Sequence, residues 1–254
     1  MMRHIQSVDV LGVDVNILTE DILHDCVKEV IKKNERALIS NVNIHAYNVA
    51  RSNPWMFDFF KKSDLIFCDG GGVALGARLL GHRLPGRITY ADSIWHLAKI
   101  AEQEGFSFFF LGAKPGVAEK AAAKLWAVYP ALKVTTQHGY FDKEKDSSEN
   151  KKIINSINEL KPNILMVGFG MPLQERWLYE NWNDLTNVNV AYPIGALFDF
   201  ISEELLRGPR WMLDNNMEWL ARLLIEPKRL FWRYCWGNPW FFAMILRERL
   251  RRRN

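Results

Sequence analysis

Six short, largely apolar runs, at residues 37–42, 65–68, 106–111, 132–136, 164–167 and 188–194, lack the in-out alternation of a half-solvated sheet, so each predicts a strand buried on both faces. Helical spacing fills the gaps. Thr19 stands as an N-cap before a stripe of Ile22, Leu23, Cys26, Val27, Val30 and Ile31, and further helices follow Pro115, Asp146 and Pro172, the prolines reading as first-turn residues. A small hairpin over residues 8–17, turning at Gly12, precedes this series. Strand–helix alternation of this kind predicts an α/β, Rossmann-like fold: a mainly parallel sheet flanked by helices. From residue 205 the strand pattern stops and the chain becomes helical, aromatic and basic. The reading is therefore an α/β core over 1–204 and a helical C-terminal appendage over 205–254.

Charge sharpens that division. The chain of 254 residues carries a net charge of only +4, yet residues 205–254 hold ten Arg and one Lys against four acids, net +7, leaving net −3 for residues 1–204. Five of the ten Trp (Trp211, Trp219, Trp232, Trp236 and Trp240) lie in the same segment. Such an end points to a phosphate-rich or membrane-surface partner. With 48% hydrophobic residues, the composition excludes a disordered tail, and three scattered cysteines exclude a disulfide miniprotein and predict a reduced compartment. The N-terminus shows no apolar signal-peptide run, so export by that route is not expected. Residues 234–246 are uncharged, but as a helix they reach only about 20 Å against a hydrocarbon core of roughly 30 Å, and Gly237, Asn238 and Pro239 interrupt them.

Three predicted strands run into glycine-bearing turns that open helices, at residues 68–72, 111–116 and 167–172. Turns in α/β folds need glycine in any case, but three together suit a nucleotide diphosphate at the carboxyl ends of the strands. No G-x-G-x-x-G fingerprint and no P-loop is present. Asp69, at the end of an apolar strand, is placed either to cap the next helix or to act as a general base. Asn41 and Asn43 fall on one side of the preceding strand. There is no Asp-x-Asp and no His pair at ligand spacing, so no metal or other cofactor is expected, and Arg87 and the C-terminal arginines are the candidates to hold a diphosphate.

Seven segments in order, Cys-Asp-Gly-Gly-Gly-Val (68–73), Leu-Pro-Gly-Arg (84–87), Gly-Ala-Lys-Pro-Gly-Val-Ala-Glu (112–119), Tyr-Pro-Ala-Leu (129–132), His-Gly-Tyr-Phe (138–141), Val-Gly-Phe-Gly-Met-Pro-Leu-Gln-Glu-Arg-Trp (167–177) and Glu-Trp-Leu-Ala-Arg-Leu-Leu-Ile-Glu-Pro-Lys-Arg-Leu (218–230), together resemble the WecG/TagA/CpsF glycosyltransferases over nearly the whole chain. The resemblance implies an inverting, metal-independent transfer of a hexose or N-acetylhexosamine(uronic acid) from a UDP-sugar to a polyprenyl-diphosphate-linked sugar. The setting it implies is cell-surface polysaccharide synthesis, at the cytoplasmic face of the membrane.

By motif position the resemblance makes Asp69 the catalytic base, sets Asn43 near the reacting sugar and Arg87 near the donor, and places Asn41 where the family often carries threonine. Gly70, Gly112, Tyr140, Gly168, Gly170, Gln174 and Asp199 fall in donor-pocket motifs. Arg222, Arg229 and Arg233 are assigned to the acceptor diphosphate and the anionic membrane surface. A homo-oligomer stays open. Two rival readings are an NAD-dependent oxidoreductase, weakened by the failed fingerprint, and a nucleic-acid-binding module using the Arg/Trp end, weakened by the acidic core. No nucleic-acid partner is therefore expected.

Overall fold

The computed structural model describes residues 5–214 and 217–252. Strands β1 (Ser7–Val10) and β2 (Val13–Asn16) form the antiparallel hairpin, closed through Leu11 and Gly12, whose amide donates to Asp9 Oδ2 at 2.9 Å. Helix α1 (Glu20–Lys32) starts at the Thr19 cap and buries Leu23, Cys26, Val27, Val30 and Ile31. Ile22 is only partly covered, and His24 occupies a buried place on the same helix. Then follow β3 (Ala37–Val42), α2 (Ile44–Ser52), α3 (Trp55–Lys62), β4 (Leu65–Cys68), α4 (Gly71–Leu79), α5 (Tyr90–Glu104), β5 (Ser107–Gly112), α6 (Val117–Trp126), β6 (Lys133–Gln137), α7 (Ser148–Leu160), β7 (Ile164–Gly168), α8 (Leu173–Asn181), β8 (Val190–Pro193) and α9 (Leu197–Ile201).

The six long-range strands pair in parallel in the order β4-β3-β8-β7-β5-β6, which bears out the Rossmann-like reading. One core layer packs α1, α5, α6 and α9 on one face of the sheet, and a second packs α2, α3 and α8 on the other. Two local expectations change. The strand at 132–136 is not buried on both faces: β6 is the sheet edge, and Lys133 and Thr135 face solvent. Helices α6 and α8 begin after their prolines, with Gly116 and Pro172 at the N-cap, and α7 is capped by Ser147, whose Oγ accepts from the Asn150 amide at 3.1 Å.

Beyond α9 the described chain is helical: α10 (Arg210–Asp214), α11 (Glu218–Ile225), α12 (Pro227–Cys235) and α13 (Gly237–Arg251). The last of these returns to the α/β unit. Phe241 and Ile245 are fully buried against α2 and α4, with the Phe241 ring 5.2 Å from that of Tyr47. Gly76 makes this approach possible, since a Cβ there would stand 2.9 Å from the Phe241 ring. Among the described residues no helix is long and apolar enough to cross a membrane.

Candidate active site

A cleft opens beyond the carboxyl ends of β3, β4, β7 and β8, the place where open parallel sheets hold their ligands. It has two lobes. The first, about 420 Å³, is walled by Asn41, Asn43, Asp69, Gly170, Gln174, Gly195 and Phe200. The second, about 470 Å³, is walled by Gly70, Gly71, Gly72 and Arg87, and by Trp219, Tyr234 and Phe242. Asn43, His45, Asp69, Glu218, Arg222 and Arg233 line both lobes and so mark the passage between them.

Asp69 is half-buried at this junction and does not cap α4, whose N-cap is Gly70. Its Oδ2 accepts from Asn41 Nδ2 at 2.9 Å, across the β3–β4 pair. Burial pushes its pKa up to about 6, and the nearby Glu218 charge adds to that; Arg87, a hydrogen bond from Asn43 and Arg222 pull the other way. A carboxylate poised there is ionised at neutral pH and basic enough to take a proton. Asn43 also caps α2, its Oδ1 accepting from the Ala46 amide at 3.0 Å. The neighbouring Cys68 thiol is pushed up to about 12 by burial and the Asp69 charge, which keeps it from acting as a nucleophile.

The first lobe is framed by fixed backbone. Gln174, fully buried, accepts from the Gly170 amide at 3.2 Å and the Gly195 amide at 2.9 Å through one oxygen, and donates to Glu175 Oε1 at 2.8 Å. Those two amides are therefore engaged and are not free for an anionic ligand, whereas the guanidinium groups of Arg222 and Arg233 line the same lobe. Glu175, also fully buried, has its pKa pushed up to about 7 by burial.

The appendage walls the second lobe and is tied to the core by a half-buried ionic network. Arg87 Nη1 pairs with Glu218 Oε2 at 3.2 Å and its Nη2 donates to the Leu213 carbonyl at 2.6 Å. Arg207 grips Asp92 of α5 with two parallel bonds of 2.8 and 2.9 Å and reaches Glu218 at 3.5 Å. The Arg207 bond holds the Asp92 carboxyl well below the usual carboxylate range. Arg222 lies over the Phe200 ring, 5.4 Å from its centroid, with its Nε buried and unpartnered.

The structure thus brings Asp69, Asn41, Asn43, Arg87, Gly70, Gly170, Gln174, Arg222 and Arg233 to one cleft. Gly112, Gly168, Tyr140 and Asp199 line neither lobe. Gly112 and Gly168 let β5 and β7 close together, since a Cβ on Gly112 would lie 2.4 Å from the Gly168 carbonyl oxygen. Tyr140 is exposed in the loop after β6, and Asp199 sits in α9. Arg229 belongs to α12, but its side chain lies outside the described residues. Glu218 and His45 escape the sequence reading. The four-residue spacing of Glu218 and Arg222, which puts both on one face of α11, is the signal that could have found the first.

A parallel α/β unit with a two-lobed cleft, the carboxyl groups of Asp69 and Glu218 at the junction and guanidinium groups beside them has the layout of a group-transfer enzyme acting on anionic substrates. Residues 8–254 match the glycosyl transferase WecG/TagA/CpsF family, and the chain belongs to it. It is a glycosyltransferase, which leaves no place for the oxidoreductase reading. An N-acetylglucosaminyldiphosphoundecaprenol N-acetyl-beta-D-mannosaminyltransferase of Bacillus subtilis (strain 168) is 30% identical over 87% of this chain and 83% of its own. A protein of the same name from Staphylococcus aureus (strain NCTC 8325 / PS 47) is 28% identical over 88% and 87%.

Proposed function

We propose that this protein transfers a sugar from a UDP-sugar to a sugar carried on a polyprenyl diphosphate, with inversion and without a metal. The observation that carries the reading is the position of Asp69 at the passage between the two lobes. In the first lobe the donor presents its anomeric carbon toward that passage. In the second, the acceptor hydroxyl lies against Asp69. As the hydroxyl oxygen bonds to the anomeric carbon, its proton passes to the Asp69 carboxylate and the bond to UDP breaks on the opposite face, so configuration inverts. Arg222 and Arg233 supply the positive charge that the departing diphosphate needs, the role a divalent metal would otherwise take. The relatives' names favour N-acetylmannosamine as the donor sugar and an N-acetylglucosaminyl diphosphate lipid as the acceptor.

The walls of the second lobe suit that acceptor. Trp219, Tyr234 and Phe242 give it an apolar side, and the appendage beyond exposes Phe231, Trp232 (71%) and Trp236 (76%). Exposed tryptophans beside arginines favour an anionic membrane surface, here taken as the cytoplasmic face. Truncating residues 205–254 is a poor test, because it would uncover the core face that Phe241 and Ile245 cover. The double substitution Trp232→Ala, Trp236→Ala should instead lower sedimentation with anionic vesicles while leaving the fold intact.

The decisive experiment is a panel of UDP-sugars offered with a short-chain prenyl-diphosphate N-acetylglucosamine in EDTA. The expected result is transfer from UDP-N-acetylmannosamine with inverted anomeric configuration, unaffected by added magnesium. Retention of configuration, or an absolute need for magnesium, would overturn the mechanism.

A further inference from the structure

On the sheet face away from the appendage's last helix, α1 and α5 bring three metal-ligand side chains to one point. His24 Nδ1 and His96 Nδ1 stand 3.3 Å apart, and Glu20 Oε1 is 3.5 Å from His96 Nδ1. Among the described residues this is the one group of three whose ligand atoms converge in this way. Around a tetrahedral zinc ion with bonds of about 2.0–2.1 Å, ligand atoms lie roughly 3.3–3.4 Å apart, so the His24–His96 spacing is that of a tetrahedron edge and the Glu20–His96 spacing is slightly longer.

The outer contacts fit as well. His24 is almost wholly buried, and its Nε2 meets Ser93 Oγ at 2.9 Å. When Nε2–H donates to that hydroxyl, Nδ1 keeps its lone pair and faces His96, the arrangement that fixes a ligating imidazole. Two imidazole nitrogens and a carboxylate oxygen face one another here, and they need a proton or a metal ion between them. A single proton on His96 Nδ1 satisfies one acceptor well and leaves the other long; a metal ion satisfies all three. Asp21 Oδ1, 3.9 Å from His96 Nδ1 and exposed, or a water, completes four-fold coordination. Two imidazoles with one carboxylate suit zinc and not magnesium, which prefers oxygen and near-ideal octahedral geometry.

We propose that Glu20, His24 and His96 form a structural zinc site that bolts α1 to α5. None of the three lines either lobe of the cleft, so the ion would take no part in sugar transfer. Its effect is on the scaffold: α5 also carries Asp92, the anchor for Arg207 of the appendage.

The test uses the full chain and zinc alone. After dialysis against buffered Zn2+, one ion per chain should remain, the thermal midpoint should rise with Zn2+ but not with Mg2+, and Co2+ in its place should give the visible absorption of a tetrahedral site. His96→Ala, a substitution of a part-exposed helix residue that should fold, is expected to lose the ion, the midpoint shift and the cobalt spectrum. Ser93→Ala should weaken binding by about 10- to 100-fold, as losing a ligand's outer hydrogen bond does. Absence of bound zinc in the wild-type chain would leave only a histidine–histidine hydrogen bond and overturn the site. Zinc held equally well by His96→Ala would place it elsewhere and overturn the site too.

Discussion

The two lobes of the cleft are built on different principles. The first is framed on its sheet side by strand-end turns whose amides are locked by a buried glutamine, so that side is shaped by backbone. The second is walled by side chains of α11 and α12, positioned by ion pairs that join Arg87 and Asp92 of the core to Glu218 and Arg207. A rigid frame suits recognition of one nucleotide sugar, and a charged, adjustable wall suits a lipid diphosphate arriving from a membrane. Asp69 belongs to both, and its raised pKa comes from burial at their junction and from the Glu218 charge beside it.

Asp69→Asn should do the most damage to that junction. Loss of a general base typically costs about 100- to 10,000-fold in rate, so kcat should fall by that range while UDP affinity stays near normal. The fold should gain at the same time. A carboxyl whose folded pKa of about 6 exceeds the unfolded value near 3.9 contributes stability below the unfolded pKa, and that contribution is lost as pH rises through 6. At pH 7–8 the charged Asp69 is therefore a liability, and the amide should stabilise the protein by at most about 2–3 kcal/mol. Calorimetry at pH 5 and pH 8 checks this: the gain should appear at pH 8 and shrink toward pH 5. A variant that is inactive and less stable at both values would mean that Asp69 holds the fold together.

Gln174→Ala breaks the backbone-built lobe. It strands the half-buried Gly170 and Gly195 amides, and since a fully buried unpaired donor costs about 1–3 kcal/mol, the lower part of the summed range, about 2–4 kcal/mol, is expected, read as a thermal midpoint lower by roughly 5–15 °C. UDP binding should weaken with it. An unchanged midpoint would show that water satisfies these turns and that the frame is not rigid.

Arg222→Ala probes the side-chain wall. Among the described residues Arg222 makes no ion pair and its Nε has no hydrogen-bond partner, so the variant should fold normally. Charge-assisted hydrogen bonds contribute about 1.5–3 kcal/mol, so kcat/KM should drop about 10- to 150-fold. The loss should be greater than that of Arg222→Lys, which keeps the charge but not the planar fork.

The same contrast decides what the sequence discloses. Residues 37–42 and 65–68 coincide with β3 and β4 because a strand buried on both faces excludes charge throughout; β4 ends at the first charged residue, Asp69, while β3 carries the polar Ser40 and Asn41 within it. Asp69 is legible for that reason. The edge strand β6 is misjudged because Leu132 and Val134 imitate a buried run while Lys133 and Thr135 face water. Glu218 leaves no such mark: its partner Arg87 lies 131 residues away, and only the packing of α11 over the cleft brings them together. The role of Gln174 is hidden likewise, since a glutamine that locks two turns reads the same in sequence as one that holds a ligand.

The smallest expected effect bears most directly on the link between core and appendage. Glu218 raises the Asp69 pKa and Arg87 lowers it, yet the two residues are bonded to each other across the boundary. Glu218→Gln should therefore move the acid limb of the kcat/KM profile to lower pH, because the Asp69 carboxylate loses a like charge. Arg87→Met should move it to higher pH, because the carboxylate loses an opposite one. Both variants break the same ion pair and loosen the same helix. If the limbs shift in opposite directions, the appendage acts on Asp69 through its charge; a common shift would mean that it acts by covering Asp69, through burial alone.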